Sequence, residues 1–347
     1  MATIRDVAQK AGVSVSTVSY AISGDRPISA EKKALIEKAM KELDYKPNAI
    51  ARGLASKRSR IIAILFTPEE RGLGLSEISL ITCAAQAASE KGYHLVMWAM
   101  KTHDLDELRQ LVRHELVDGV ILMEVRNNDP RIPYLKSEGL PIFLFGRDDS
   151  APEESFVDTD FSVTMYQSIA RLSGQGHRKI CFVNQSEETL RSGYGPVLRA
   201  HSAFETICRD LRLEGTELLC PSDPLAGYWK ASEYLKKNAD ATAFIVMNDK
   251  VLSGVIKACA DNGKDIPLDV SIEALASSEA AATMLIPSIT AWEMEGDKLM
   301  ELAVGQLIAR LEGTYFEVPR RLIPCTLVER SSSAPLHARS EHTLPGR

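Results

Sequence analysis

Aromatic residues make up only 6% of the 347-residue sequence, with three tryptophans among them. No apolar run approaches the ~18 residues needed to span a bilayer, and the first residues lack the basic-then-apolar pattern of an export signal. The six cysteines, Cys83, Cys181, Cys208, Cys220, Cys259 and Cys325, are scattered without a Cys-x-x-Cys pair. That spacing argues against zinc ribbons and disulfide frameworks, and for reduced, mostly buried thiols. A cytoplasmic protein without membrane contact is expected. Signatures of catalysis are missing too. There is no Gly-x-Gly-x-x-Gly or Walker A loop, since Gly72 and Gly74 lack a third partner, and neither His-Glu-x-x-His nor Gly-x-Ser-x-Gly occurs. The seven histidines are spread out and the carboxylates unclustered. Neither an enzyme, a cofactor nor a metal site is expected.

What is present is the composition of an ordinary soluble globular protein, 45% apolar and 25% charged. The length suits a small head and a body of about two domains. Charge is distributed unevenly. Residues 1–60 hold 12 Lys and Arg against 6 Asp and Glu, a net of +6, so residues 61–347 carry −12. A basic head on an acidic body is the asymmetry expected when only the head meets a polyanion.

The head reads as three short helices. Ile4, Val7, Ala8 and Ala11 form one apolar stripe, Thr3 with Asp6 makes a capping-box start, and Gly12 supplies a stop. Ser14 can cap a second helix running to about Ile22, with Val18 and Ile22 as core. A third helix starts at Ser29 and shows Ile36, Ala39, Met40 and Leu43 on one face. Helix, tight turn, helix is the arrangement that places a second helix in a DNA groove. Ser16 and Tyr20 share the outward face of that helix, and Thr17 and Ser19 add hydroxyls suited to phosphate oxygens. By the same spacing, Val15 could belong to the core and the Tyr20 ring could fold onto the helix surface.

Several segments of this head, namely Ile4-Arg5-Asp6-Val7-Ala8, Ala11-Gly12-Val13-Ser14, Thr17-Val18-Ser19 and Tyr45-Lys46-Pro47-Asn48, occur in fixed order. Together with Ala49-Ile50-Ala51-Arg52-Gly53-Leu54-Ala55, they resemble the N-terminus of lactose-repressor-type (LacI/GalR family) transcriptional regulators. The resemblance continues more loosely to about residue 330. It implies that Val15, Ser16 and Tyr20 read base edges in the major groove, and that Thr3, Ser14, Thr17 and Asn48 contact phosphate or orient the hinge. Tyr20 departs from the Arg most common there, so the operator sequence is expected to differ. The hinge is a poor helix on its own, capped by Asn48 after Pro47 and broken by Gly53. By the resemblance, it folds when paired in a dimer on DNA, with Leu54 wedged between base pairs from the minor groove and Arg52 near phosphate.

From Ile61 onward, short Val/Ile/Leu runs alternate with amphipathic helices, the pattern of parallel strands with helical crossovers. The expected fold is an all-α helix-turn-helix head (1–47), a hinge (48–60) and an α/β body of two doubly wound lobes (61–330). The body resembles the periplasmic-binding-protein fold, with chain crossings near residues 160, 291 and 320. Residues 331–347 are Ser/Pro/His-rich and are expected to be disordered. The last strand is expected over 322–328.

Such lobes place ligands at the carboxyl ends of their strands, which nominates Thr67, Glu69, Arg71, Glu124 and the segment Gly146-Arg147-Asp148. The resemblance adds Asn248, in an Asn-Asp pair that holds the effector, and Arg147, found in sugar-binding members. Trp292 could stack on a sugar ring or lie buried between the lobes. Two departures stand out. The strand that ends Gly-Phe-Asp-Asp in the family reads Ala274-Leu275-Ala276-Ser277, and Arg-x-x-Gly-Phe is degraded at Ala200–Phe204, with Arg199 or Arg191 as substitutes. The expected protein is a DNA-binding regulator, more often a repressor, that binds a pseudo-palindromic operator as a homodimer. A sugar or glycoside effector is expected to control it, unless that site has been lost.

Overall fold

In the computed structural model, three short helices share one small core: α1 (Ile4–Ala11), α2 (Val15–Ser23) and α3 (Ala30–Glu42). The structure describes residues 2–23, 26–45, 58–67, 72–100, 105–114, 116–314 and 319–336. Thr3 caps α1: its hydroxyl accepts the Asp6 amide while the Asp6 carboxylate accepts the Thr3 amide at 2.8 Å. Those bonds hold the Asp6 carboxyl below its ordinary range. Gly12 ends the helix at φ 65°, a left-handed value that glycine adopts without cost. Val7, Ala8, Val18, Ile36 and Ala39 are buried together.

Beyond the head, twelve strands among the described residues form two six-stranded sheets. The first contains β1 (Ile61–Phe66), β2 (His94–Ala99), β3 (Gly119–Leu122), β4 (Ile142–Phe145), β5 (Phe156–Thr159) and β11 (Arg320–Ile323). Its order is β11-β5-β4-β3-β1-β2, with every pair parallel. Helices α4 (Leu75–Glu90), α5 (Leu105–Arg113) and α6 (Arg131–Ser137) belong to this lobe. The second sheet is β12-β10-β9-β8-β6-β7. It contains β6 (Lys179–Asn184), β7 (Glu214–Leu219), β8 (Ala243–Val246), β9 (Ser271–Ser277), β10 (Thr290–Glu293) and β12 (Thr326–Val328). Only β12 runs antiparallel to its neighbour. Its helices are α7 (Phe161–Gly174), α8 (Glu187–Arg191), α9 (Gly195–Asp210), α10 (Pro224–Lys237), α11 (Leu252–Asp261) and α12 (Glu279–Thr283). Continuous apolar strands bury both faces of each sheet: Ile62 to Phe66 and Ala243 to Val246 are fully enclosed.

The chain passes between lobes three times, after β5, after β10 and between β11 and β12. After the second passage, α13 (Gly296–Glu312) returns Leu299, Met300, Ala303, Val304 and Leu307 to the first lobe's core. The single last strand expected over 322–328 is therefore two strands in different sheets, parted at Pro324-Cys325. Strands β5 and β7 escape the apolar pattern because the one carries Asp158 and the other, at a sheet edge, carries two Glu and a Gly.

Expected disorder in the C-terminal segment is corrected over residues 331–336, which pack on the second sheet. Ser332 is fully buried. Its hydroxyl accepts from the Thr290 amide at 2.8 Å and donates to the Ile272 carbonyl at 2.6 Å. His177, buried beneath, bonds Thr242 Oγ1 at 3.0 Å and the Ala334 carbonyl at 3.1 Å. Burial holds its pKa below the ordinary value. Residues 337–347 lie outside the described residues. Ser332→Ala should leave two buried backbone groups poorly satisfied and cost about 1–3 kcal/mol in urea unfolding. An unchanged midpoint would refute the packing of this segment.

Candidate functional sites

Two sites emerge, one on the head and one between the lobes. On the head, the Ser14 hydroxyl accepts the Thr17 amide at 3.1 Å, so Ser14 starts α2. Its oxygen also lies 2.8 Å from Ser16 Oγ and from Thr17 Oγ1, which gathers three hydroxyls at the helix N-terminus. Partial positive charge at such a terminus, together with a cluster of hydroxyls, suits a phosphate oxygen. Val15 is 41% exposed and outside the core, whereas Val18 is fully buried. Tyr20 is half-buried, and the Arg26 guanidinium lies 5.1 Å from its ring centroid. A ring in that cation–π contact has a preferred place on the outward face of α2. Asn48, Arg52 and Leu54 lie outside the described residues. The chain enters the body at a firm anchor: Asp118 accepts the Ser59 amide at 2.7 Å, the Ser59 hydroxyl at 2.9 Å and the Arg60 amide at 2.8 Å.

Between the lobes lies a cavity of about 540 Å3, bordered by the carboxyl ends of β3, β4, β5 and β8 and by the start of α4. Three sets of contacts hold the lobes together around it. At one side, Asp249, which follows β8, accepts Ser76 Oγ of the first lobe at 2.6 Å and Ser277 Oγ of its own lobe at 2.7 Å. Lys250 donates to the Gly72 carbonyl at 2.9 Å beside it. At another side, residues 125–127 pair with 193–195 as a short bridge, with Asn127 N donating to Gly193 O at 3.0 Å. Arg199 of α9 reaches Asp158 of β5 at 2.7 Å, making the third set. The Arg199 guanidinium lies against the start of its own helix: a Cβ at Gly195 would stand 2.5 Å from it.

Burial pushes the Asp158 carboxyl up to about 6, against the pull of Arg199 and Arg147. It likewise pushes Asp249 up to about 6, against the Ser76 and Ser277 hydrogen bonds. Both carboxyls therefore hold a proton more firmly in the folded, closed protein than in the unfolded chain. Glu124 on the cavity wall sits at φ 52°, and so does Ala276 on the opposite lobe. Non-glycine residues in that region store strain. The first is held from behind. Arg131, 1% exposed, donates to the Met123 carbonyl at 3.1 Å and the Glu124 carbonyl at 3.2 Å while clasping Asp129. Burial works against the Asp129 charge, yet Arg131 holds its carboxyl below the usual range.

Of the expected effector residues, Glu124 and Asn248 border the cavity. Thr67 stands one step back, donating its amide (3.1 Å) and its hydroxyl to Glu124. Arg199 reaches the cavity only through Asp158. Arg147 is paired with Asp149 at 3.1 Å and is not on the wall. Glu69 and Arg71 lie outside the described residues. Trp292 requires correction: it does not border the cavity, and only 6% of it is exposed. Its indole N–H donates to the buried Glu273 at 2.7 Å, in a network with Ser168 and Arg171. Residues without a sequence motif are Ser76, Tyr194 and Asp158, and Ser277 stands out only as the end of the altered strand 274–277. The signal available for Asp158 is an acid inside the short strand Phe156–Thr159. Among the described residues no cluster suited to a metal ion occurs, and no helix is long and apolar enough to cross a membrane.

Comparison with known proteins agrees with this geometry. Residues 3–48 match the family described as bacterial regulatory proteins, lacI family. Residues 169–333 match the periplasmic binding protein-like domain. The chain belongs to the lacI family. It is 27% identical over 330 residues to the HTH-type transcriptional regulator AscG of Escherichia coli K12, covering 92% of this chain and 95% of that one. It is also 27% identical over 348 residues to the ribose operon repressor of the same organism, covering 96% and 100%. Among solved structures, the lac repressor dimer bound to operator and anti-inducer superposes with TM-score 0.79 at 21% identity, over 96% of this chain and 99% of that one. A complex of the regulator CelR with cellobiose gives 0.71 at 22%, over 96% and 100%. As a lacI-family member, the protein is a DNA-binding transcriptional regulator.

Two outcomes follow for the cleft. Because folded-state pKa values near 6 exceed the ordinary carboxyl value, Asp158 and Asp249 contribute stability that is fully present below about pH 4 and lost as pH rises through about 6. Asp249→Asn should flatten that part of the melting-temperature profile, and a profile matching the unsubstituted protein's would refute it. Trp292→Phe should cost about 1–3 kcal/mol in urea through its lost bond to Glu273, whereas a ligand-binding Trp292 would alter affinity instead.

Proposed function

We propose that this lacI-family regulator is a cytoplasmic repressor that binds a pseudo-palindromic operator as a homodimer and answers to a small molecule held between its lobes. The observation that carries the reading is the outward face of α2, where hydroxyls collect at the helix start and Val15 and Tyr20 point away from the core. On this reading, Val15, Ser16 and Tyr20 meet base edges, while Thr3, Ser14 and Thr17 hold phosphates. Asn48 caps the hinge, Arg52 neutralises phosphate, and Leu54 wedges the minor groove.

Exposed apolar side chains support dimerisation. Leu225 and Trp229, one turn apart on α10, are each 60% exposed, and Met284 and Ile286 after α12 are 70% and 92% exposed. Pro224, next to Leu225, and Met284 both border the cavity. An apolar patch of this kind marks an interaction surface, and a self-complementary patch closes as a two-fold dimer. A single head buries too little DNA for tight specific binding. Relatives named for ribose and cellobiose support a carbohydrate-type effector. The open cavity argues against a lost ligand site. Control then runs through closure: the ligand favours one arrangement of the lobes and thereby one spacing of the two hinges.

Operator selected from random DNA and measured by fluorescence anisotropy tests the head. Tyr20→Ala should weaken that operator by about 1–3 kcal/mol without lowering the melting temperature; unchanged affinity would remove Tyr20 from base recognition. Trp229→Asp with Ile286→Asp should yield monomers in sedimentation that have lost operator binding. A dimer that persists would displace the proposed interface.

A further inference from the structure

The cavity walls are unlike a surface built only for hydroxyl groups. Four of the ten methionines in the sequence, Met123, Met247, Met284 and Met294, border this one cavity, together with Phe145 and Leu285. Methionine side chains adapt their shape to an apolar partner, and their sulfur atoms make favourable contacts with aromatic rings. Several polar side chains on the wall are already engaged. Both Asp249 oxygens accept serine hydroxyls, and Asn248 Nδ2 faces the Cys220 carbonyl and Ser222 Oγ at 3.4 and 3.3 Å. Thr67 donates twice to one Glu124 oxygen. At Ala276, where the family resemblance implies a carboxylate, the wall presents a methyl group.

We propose that the effector carries an aromatic or comparably bulky apolar group, seated among these methionines, as an obligatory part of its recognition. This rests on the reading of the cavity as the effector site and names the class of molecule it takes. A volume of about 540 Å3 falls within the roughly 300–1,000 Å3 of small-molecule sites and admits a ring system with a polar substituent. The polar end belongs at Asp158, the member of the Asp158–Arg199 ion pair that borders the cavity. Asp158 borders the cavity, and Arg199, whose side chain is 10% exposed, spends Nη2 on it while Nε and Nη1 are enclosed without a partner. A hydroxyl arriving there meets the Asp158 carboxyl, which Arg199 holds from behind the wall. An unsubstituted sugar would satisfy that end, but those of its hydroxyls that met the thioethers and the Ala276 methyl would lose hydrogen bonds to water without replacement.

Thermal shift of the full-length protein tests this with glucose, phenyl β-glucoside, indole, ribose and cellobiose, each followed by operator anisotropy. Phenyl β-glucoside should reach its half-maximal shift at a concentration at least about tenfold below that of glucose, the gain expected from burying a phenyl ring. Met247→Gln, close in shape but polar, should reduce that advantage to about threefold or less. Should it fail to fold, Ala276→Asn, a residue tolerant of positive φ, polarises the same wall. Glucose, ribose or cellobiose acting at concentrations equal to or below those of the aromatic compounds would overturn the proposal, as would aromatic compounds that give no shift. If an aromatic compound binds but leaves operator affinity unchanged, the control reading falls while the apolar subsite stands. Release of operator by ribose alone would do the reverse.

Discussion

Asp249 sits where the two lobes meet, and its two oxygens bind one serine from each. Much of the body's behaviour depends on that shared carboxylate. Opening the cleft on that side breaks the Ser76 contact and rehydrates a group whose charge burial disfavours. The Asn127–Gly193 bridge and the Asp158–Arg199 pair hold other sides, so the cavity exists only while several sets of polar contacts persist together. Three passages of chain between the sheets confine the lobes to hinging about a common seam. A ligand needs only to favour or oppose the closed arrangement by a modest differential affinity to shift the population.

The head and the architecture of the body were legible in the sequence because both rest on local chemistry. Thr3, Asp6, Gly12 and Ser14 announce helix ends wherever they fold, and the buried parallel strands read as unbroken apolar runs. What escaped was set by distant contacts. Strand β5 hides an acid that pairs with α9, forty-one residues later in the chain. Strand β7 lies at a sheet edge and so tolerates Glu214, Gly215 and Glu217 in place of an apolar run. The terminal strand divides between two sheets because the chain crosses lobes at Pro324-Cys325, a choice that no local pattern records. Trp292 illustrates the same limit: a tryptophan near a strand end suits a sugar platform or a core equally, and only Glu273, nineteen positions earlier, decides between them. In the segment 331–336, a polar composition suggested disorder, yet Ser332 and Ala334 find their partners on β9 and beside His177.

Two strained backbone positions face each other across the cavity. Glu124 and Ala276 share a positive φ on opposite walls, and Arg131 holds the first by gripping the carbonyls of residues 123 and 124. Replacing a carboxylate by a methyl group at the second while keeping its conformation preserves the shape of the wall and changes what the wall attracts. Recognition chemistry can therefore drift in such a fold while the shape of the wall is retained.

The clasp at the body's entrance bears on how motion leaves the body. Asp118 takes three donors from Ser59 and Arg60, one step before β1 begins. The point from which the chain departs toward the head is thereby welded to the first sheet. Any rotation of that sheet would carry its exit point with it, as in a crank whose pin has no play. In a pair of subunits, the separation of two such pins would be a direct gauge of cleft angle.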